Sequence, residues 1–471
     1  MTQSKIKTVF VCENCGNKRP KWEGQCPACE TWNSLVEMRV EQNSFSPRVD
    51  FGGQVSSVEL SSVSTDSEPR IELSSPELNR VLGGGIVPGS VALLAGDPGI
   101  GKSTMLLRVA ADVATSGGRT LYVSGEESAA QIKMRADRME LPGEGLHLLQ
   151  TNDLNDIISS IEKDRPVLVV VDSIQTVNST SISAGPGSVA QIRECTRVLI
   201  QLAKTRSIPT ILAGHMTKSG DIAGPKVLEH LVDVVLYLEG DQINAWRLLR
   251  AVKNRFGSTN EVGVFEMIEQ GLVDVRDPSS ALLSERVHGA IGSTIVPVIE
   301  GTRPLLIEVQ ALTSPTTLPV PRRVGTGIDT NRLLLVCAVL SRRLGVKLAD
   351  QDVLVNVAGG LRISEPAVDL GVALAIVSSL RDMAVAGGLA AVGEIGLSGE
   401  VRRVSQIQNR VTEAARLGLT DCIVPAKSSS TAPVSYEGIA IRPVTTLAEA
   451  IALSLAKDRG RPPIDARVST T

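Results

Sequence analysis

Aromatic residues are scarce in this sequence, with 3 Trp, 3 Tyr and 5 Phe among 471 residues. Packing must therefore come from Val, Leu, Ile and Ala, within a hydrophobic share of 42%. Long uncharged apolar runs are missing too. That excludes a membrane-spanning helix, which needs about 18–20 such residues. The first residues are polar and basic, with no apolar stretch and small-residue cleavage site behind them, so a cytoplasmic chain without a secretory leader is expected. Excess positive charge is also lacking. A formal net charge of -3 excludes a polybasic nucleic-acid coat protein but says nothing of local basic patches. Cysteine is sparse and uneven. Four of the 7 lie at Cys12, Cys15, Cys26 and Cys29, while Cys195, Cys337 and Cys422 stand alone and read as small core residues.

What is present divides the chain. Its length calls for two or three domains. A compact unit at 8–36 precedes a Ser-, Gly- and Gln-rich linker at 37–70. Between 71 and 277, short apolar strands alternate with helices, the pattern of a mostly parallel sheet covered on both faces. The strands are expected near 91–95, 121–123, 167–171, 210–213 and 234–238, with helices over 104–114 and 189–205. A second α/β unit spans 278–455. Its strands are expected at 291–298, 305–310 and 353–357, and its helices at 331–344, 367–380 and 405–417. The stretch 456–471, rich in Arg, Pro, Ser and Thr, is expected to be a disordered tail.

The strongest motif is Gly96-Asp97-Pro98-Gly99-Ile100-Gly101-Lys102-Ser103. It follows an apolar strand and opens a helix, the context a P-loop requires. Its glycines let backbone N–H groups turn inward around phosphates, and the helix adds its positive end. ATP is the expected ligand. Lys102 is expected at the β and γ phosphates, and Ser103 at Mg²⁺, with Thr104 beside it on the first turn. Asp172 ends the apolar strand 168–171 and suits the second Mg²⁺ contact. Hydrolysis also needs a group to position water. Glu126 and Glu127 follow the strand 121–123, at the carboxyl end where open α/β sheets bind ligands. Residues alone leave that pair open between a catalytic site and a solvated helix start.

Cys12-x2-Cys15 and Cys26-x2-Cys29 have the knuckle spacing of a four-cysteine Zn²⁺ site, with Gly16 and Pro27 at the turns. So small a unit would take its folding energy from the metal. Lys18, Arg19, Lys21 and Trp22 form a cationic and aromatic surface beside it. DNA, a protein partner and the adjoining ATPase all remain open as its contact. Two loops, 178–188 and 217–226, read as mobile surface segments, the second carrying Lys218 and Lys226. Arg322, Arg323, Arg332, Arg342 and Arg343 form a basic set in the second unit. It is open between a phosphate-binding rim, a solvated helix face and an inter-subunit surface.

The P-loop, the Glu-Glu placement and Asp172 resemble a RecA-family ATPase core. Over residues 8–455 the chain resembles the RadA (Sms) family of bacterial DNA repair proteins. That resemblance implies a RecA-like core with an N-terminal zinc finger and a Lon-protease-like C-terminal domain. It makes Glu126 the catalytic glutamate and His215 a sensor of the γ-phosphate. It makes Lys253-Asn254-Arg255-Phe256-Gly257 a signature pentad, whose Lys253 and Arg255 reach the ATP site of the neighbour in a homo-hexameric ring. The two loops would line a channel for single-stranded DNA.

Residues 290–455 resemble the proteolytic domain of Lon, which uses a serine–lysine dyad. In this sequence those positions match Ala367 and Arg410. Alanine has no nucleophile, and arginine is not a neutral base near pH 7. No peptidase activity is expected. The expected function is a DNA-dependent ATPase and helicase acting on branched recombination intermediates, with a link to the RecA recombinase. A nucleotide-controlled signalling ATPase and an ATP-dependent protease are the alternatives.

Overall fold

The alternation of apolar runs with glycine-rich loops builds two compact units in the computed structural model, residues 1–274 and 275–471. The structure describes residues 6–12, 18–27, 30–33, 35–41, 59, 61, 69–182, 184–215, 226–240, 245–426, 435–436 and 438–455.

The N-terminal ribbon is three antiparallel strands, β1 (Ile6–Cys12), β2 (Lys18–Arg19) and β3 (Leu35–Glu41), in the order β2-β1-β3. β1 and β3 pair from Cys12↔Leu35 to Ile6↔Glu41, so strand pairing runs past residue 36 into the stretch expected as linker. Alternating Val, Met and Val in β3 supplies a pairing edge that a composition-based boundary cannot register.

After helix α1 (Pro76–Leu82) comes a nine-stranded sheet: β4 (Val91–Gly96), β5 (Thr120–Ser124), β6 (Leu146–Gln150), β7 (Leu168–Asp172), β8 (Thr210–His215), β9 (Val234–Gly240), β10 (Trp246–Asn254), β11 (Val262–Ile268) and β12 (Gly271–Asp274). The spatial order is β12-β11-β10-β9-β4-β8-β7-β5-β6. β4 to β9 are mutually parallel, and β10 to β12 add an antiparallel meander. Helices α2 (Lys102–Thr115), α3 (Ala129–Arg138), α4 (Leu154–Asp164), α5 (Val189–Arg206) and α6 (Lys226–Glu229) connect the parallel strands. β4, β5 and β7 are buried along their whole length, because one apolar cluster covers each face of the sheet. Parallel pairing brings the carboxyl ends of β4 to β9 to one edge.

The second unit opens with α7 (Pro278–Leu283) and the hairpin β13 (Ser293–Glu300) and β14 (Arg303–Pro315). There follow β15 (Arg323–Thr326), α8 (Thr330–Leu344), β16 (Gln351–Val357) and α9 (Asp369–Arg381). Pro366–Val368 forms a short 3-10 turn, so the regular helix begins two residues after the expected start at 367. β17 (Leu389–Ala391), β18 (Glu394–Ile395), β19 (Val401–Arg402), α10 (Ile407–Arg416), β20 (Asp421–Pro425), β21 (Ser435–Tyr436), β22 (Ile439–Val444) and α11 (Leu447–Ser454) complete it. The main sheet runs β15-β16-β14-β13-β17-β20-β22-β21. Among the described residues, no helix is long and apolar enough to cross a membrane.

Candidate functional site

The turn after β4 enters α2 through Gly101, whose φ of 116° is left-handed; a Cβ there would meet the Met267 side chain at 2.6 Å. Only glycine satisfies both demands. Lys102, at the first position of α2, is buried at 3% exposure and donates from Nζ to the carbonyls of Gly96 and Asp97 at 2.9 and 3.0 Å. Burial lowers its pKa, against the opposing pull of Asp172, Asp97 and Glu126. Ser103 and Thr104 follow on the same turn, both half-buried.

β7 ends at Asp172, which is buried. Tyr122, on neighbouring β5 and fully buried, donates its hydroxyl to Asp172 Oδ2 at 2.6 Å. Burial, and then the Asp172 charge, pushes the Tyr122 phenol well above its ordinary value. The tyrosine is therefore a permanent donor that fixes which way the carboxylate faces. β5 continues through Gly125 to Glu126. A Cβ at Gly125 would lie 2.1 Å from Asn152 Oδ1 and 2.3 Å from Thr176 Oγ1, so this turn requires glycine. Glu126 is half exposed, and Ser173 Oγ donates to its Oε1 at 2.9 Å. His215, which ends β8 level with Gly96, brings Nε2 to 3.8 Å from the same oxygen. Burial and the Lys102 charge lower the His215 pKa, so the ring is neutral at pH 7.

The Glu-Glu pair is separated by its partners. Arg135 on α3 holds both carboxylate oxygens of Glu127, Nη1 to Oε2 at 2.8 Å and Nη2 to Oε1. Glu126 alone faces the group formed by Lys102, Asp172 and His215. These residues suit a magnesium nucleotide: a buried ammonium in a glycine loop, a hydroxyl on a helix first turn and an oriented carboxylate.

The pentad lies elsewhere in the sheet. Lys253 and Asn254 on β10 pair with Val235 and Val234, whereas Gly96 pairs with Leu238. That register separates Lys253 from its own P-loop by about 10 Å along the strand direction. Lys253 Nζ donates to the carbonyls of Glu229 and Val232, both at 2.8 Å, and of His230 at 3.4 Å. Burial, with Arg255 nearby, lowers its pKa. Arg255 pairs at 2.9 Å with Asp233, which is 3% exposed on its side chain. Asn254 Nδ2 donates to Val81 and Leu82 carbonyls at 3.2 and 3.4 Å, at the end of α1.

One expectation is corrected. The segment 178–188 is not a loose loop over its described residues. Gln191, 2% exposed on α5, donates to the carbonyls of Ser179, Ile182 and Ala184 at 3.1, 3.1 and 2.9 Å, and accepts from Ser179 N at 2.9 Å. One buried amide thus replaces the water that such a segment would otherwise need. In the basic set, Arg322, Arg342 and Arg343 are exposed and Arg323 and Arg332 half-buried, and four of the five also have partners within the chain. Arg322 pairs with buried Asp352 at 2.9 Å, and Arg332 pairs with buried Asp369. Arg323 Nη2 donates to Leu348 O at 2.6 Å and Arg343 Nε to Leu397 O at 3.0 Å. Arg342 is exposed. Residues 217–225, with Lys218, and the side chain of Lys226 lie outside the described residues.

Cys12 and Cys26 are buried together with Leu35 in the ribbon. Cys15 and Cys29 lie outside the described residues. The isolated Cys195, Cys337 and Cys422 are buried, and burial pushes Cys195 and Cys422 up to about 12.

In the second unit, Ala367 is 3% exposed in the 3-10 turn and Arg410 is fully buried. Arg410 donates to both oxygens of Glu365 at 2.8 and 2.7 Å, to Pro297 O at 2.7 Å and to Ser405 O at 2.9 Å. Glu365 also accepts from Ile299 N at 2.8 Å. The Arg410 guanidinium is committed to structure.

Sequence reasoning missed Tyr122, Ser173, Gln191 and Glu365, whose roles arise from strand and helix neighbours far apart in the chain. It also missed Arg247, 4% exposed on β10, whose Nε donates to Ile100 O at 3.1 Å beneath the P-loop.

A family model described as "AAA domain" matches residues 55–221, and a "Rubredoxin metal binding domain" model matches 10–37. A third, "Subunit ChlI of Mg-chelatase", matches 335–428. A Bacillus subtilis protein named DNA repair protein RadA is 49% identical over 458 residues, covering 96% of this chain and 99% of that one. Proteins of the same name from Halalkalibacterium halodurans and Listeria monocytogenes are 50% and 46% identical, covering 96% and 97% of this chain and 100% of each relative. This chain belongs to the DNA repair protein RadA family. With the family come its parts: a RecA-like P-loop ATPase core, a zinc-ribbon segment and a Lon-protease-like α/β unit.

Proposed function

We propose that this chain is a DNA-dependent ATPase and ring helicase that works on branched recombination intermediates. It would bind single-stranded DNA and extend strand-exchange products by branch migration. The observation that carries the ATPase reading is the meeting of Lys102, Asp172, Glu126 and His215 at the carboxyl edge of β4, β5, β7 and β8. The DNA reading is supported by near full-length likeness to proteins named for DNA repair.

In this reading the residues of the loop 96–101 receive the nucleotide phosphates through backbone N–H groups, and Lys102 exchanges its carbonyl partners for them. Ser103 and Asp172 hold Mg²⁺, which neutralises phosphate charge when bound. Glu126, steadied by Ser173, orients the attacking water and accepts its proton. His215 stands where it can register the γ-phosphate and pass that state to the segment after β8. Lys253 and Arg255 would act on the site of a neighbouring subunit in a homo-hexameric ring, a reading supported by the register that sets Lys253 apart from its own P-loop. Cys12, Cys15, Cys26 and Cys29 hold a structural Zn²⁺. The protein works in the cytoplasm alongside the RecA recombinase. A protease reading is opposed by Ala367 and by the saturated Arg410.

The deciding experiment is ATP turnover with and without single-stranded DNA, followed by unwinding of forked DNA with defined tails. Stimulated turnover with strand separation is expected. Turnover indifferent to DNA would favour a signalling ATPase. Rings mixing wild-type subunits with Lys253→Ala or Arg255→Ala subunits should lose more activity than the mutant fraction alone explains.

A further inference from the structure

In a chain with only 3 tryptophans, two stand in water within the ribbon: Trp22 is 55% exposed and Trp32 69%. They converge on one point. A Cβ built on Gly24 would lie 3.8 Å from Trp22 Cη2, and 3.7 and 3.9 Å from Trp32 Cζ3 and Cε3. Gly24 thus lies at the floor of a notch that both indoles border. The backbone fixes it. Gln25 bridges to Trp32, Asn33 N donates to Gly24 O at 2.7 Å, and Cys26 N donates to Thr31 O at 3.0 Å. Gln25 Nε2 closes the turn on Glu30 O at 2.7 Å.

The surroundings are polar and carry charges of both signs, with Glu30 exposed in the turn. Lys21 is exposed beside Trp22, and Arg19 is oriented by Glu23 at 2.8 Å. Flat π-faces with an exposed lysine adjoining Trp22 suit a nucleobase and its phosphate.

We propose that the notch between Trp22 and Trp32 is a stacking site for an unpaired base of single-stranded nucleic acid, with Lys21 on the adjoining phosphate. This ribbon site is separate from the ATP site and shares with the proposed function only the single-stranded ligand. Stacking of this kind tolerates any base, because each has a π-face.

The test uses the full chain. Tryptophan fluorescence is titrated with a deoxythymidine homopolymer, with an abasic oligomer of equal charge and with a proline-rich peptide. Trp22→Leu, Trp32→Leu and Gly24→Leu are compared with the wild type by binding and by basal turnover without DNA. Gly24 has no left-handed φ, and a Cβ there meets only ordinary contacts, so Gly24→Leu directs its side chain into the notch without backbone strain. The homopolymer is expected to quench the wild type, and the abasic oligomer to quench little. Each variant is expected to bind the homopolymer about tenfold more weakly, the scale of one lost base–aromatic stack. Basal turnover and zinc content should stay unchanged. Equal binding by all three variants, equal quenching by the abasic oligomer, or quenching by the peptide alone would overturn the assignment. Wild-type turnover indifferent to DNA would instead overturn the proposed function, and the fluorescence titration reads the ribbon site either way.

Discussion

Glu126 and Glu127 are adjacent and chemically identical, yet they have different work. The Arg135 fork takes Glu127, while Ser173 and His215 stand at Glu126. Glu126→Gln is therefore expected to bind nucleotide normally and to lower turnover by about a hundredfold or more, as for a lost general base. Glu127→Gln should lower stability more than turnover; near-normal turnover in Glu126→Gln would remove its assigned role. Tyr122→Phe deletes the bond to Asp172 without changing shape. The Mg²⁺ concentration for half-maximal turnover should rise about tenfold, the usual scale for a lost group behind a metal ligand. His215 has a depressed pKa, so its neutral form is favoured by folding. Its contribution to stability is complete above the unfolded pKa of about 6.5. It is lost as pH falls through the lower folded value, where the unfolded chain takes up the proton first. Urea midpoints at pH 7.5 and 5.5 should fall further for the wild type than for His215→Gln.

At the scale of elements, the buried Gln191 amide ties together part of the segment leading into α5. Gln191→Ala would strip partners from three carbonyls and one N–H within residues 179–184. A loss of about 2–3 kcal/mol is expected from buried polar groups left unpaired. Hydrogen exchange should accelerate there while β4 and β7 stay protected. Equal exchange in mutant and wild type would show that other contacts hold the segment.

For the whole molecule, the second unit has a Lon-protease-like frame in which Ala367 and Arg410 are buried. Arg410→Met leaves the half-buried Glu365, whose side chain is 21% exposed, without its guanidinium, and a loss of about 1–3 kcal/mol in the unfolding of that unit is expected. The double change Ala367→Ser with Arg410→Lys should release no peptide from casein. A lysine there would still face Glu365 and remain charged. Measured cleavage would show that the frame retains its old chemistry.

The local motifs were legible because their chemistry is consecutive. Gly96 to Ser103, Asp172 at a strand end and the paired cysteines each carry their meaning within a few residues. The parallel sheet was legible for the same reason, since strand–helix alternation repeats over short spans. What tertiary structure alone decided were the relations between distant segments. Strand pairing set Tyr122 against Asp172, and helix packing set Gln191 against residues 179–184. The fold also turned the Arg322, Arg323, Arg332 and Arg343 side chains toward their own chain's oxygens. A sequence records how many charges a segment carries; only the folded chain determines which are already neutralised, because a buried carboxylate is matched to its cation through space.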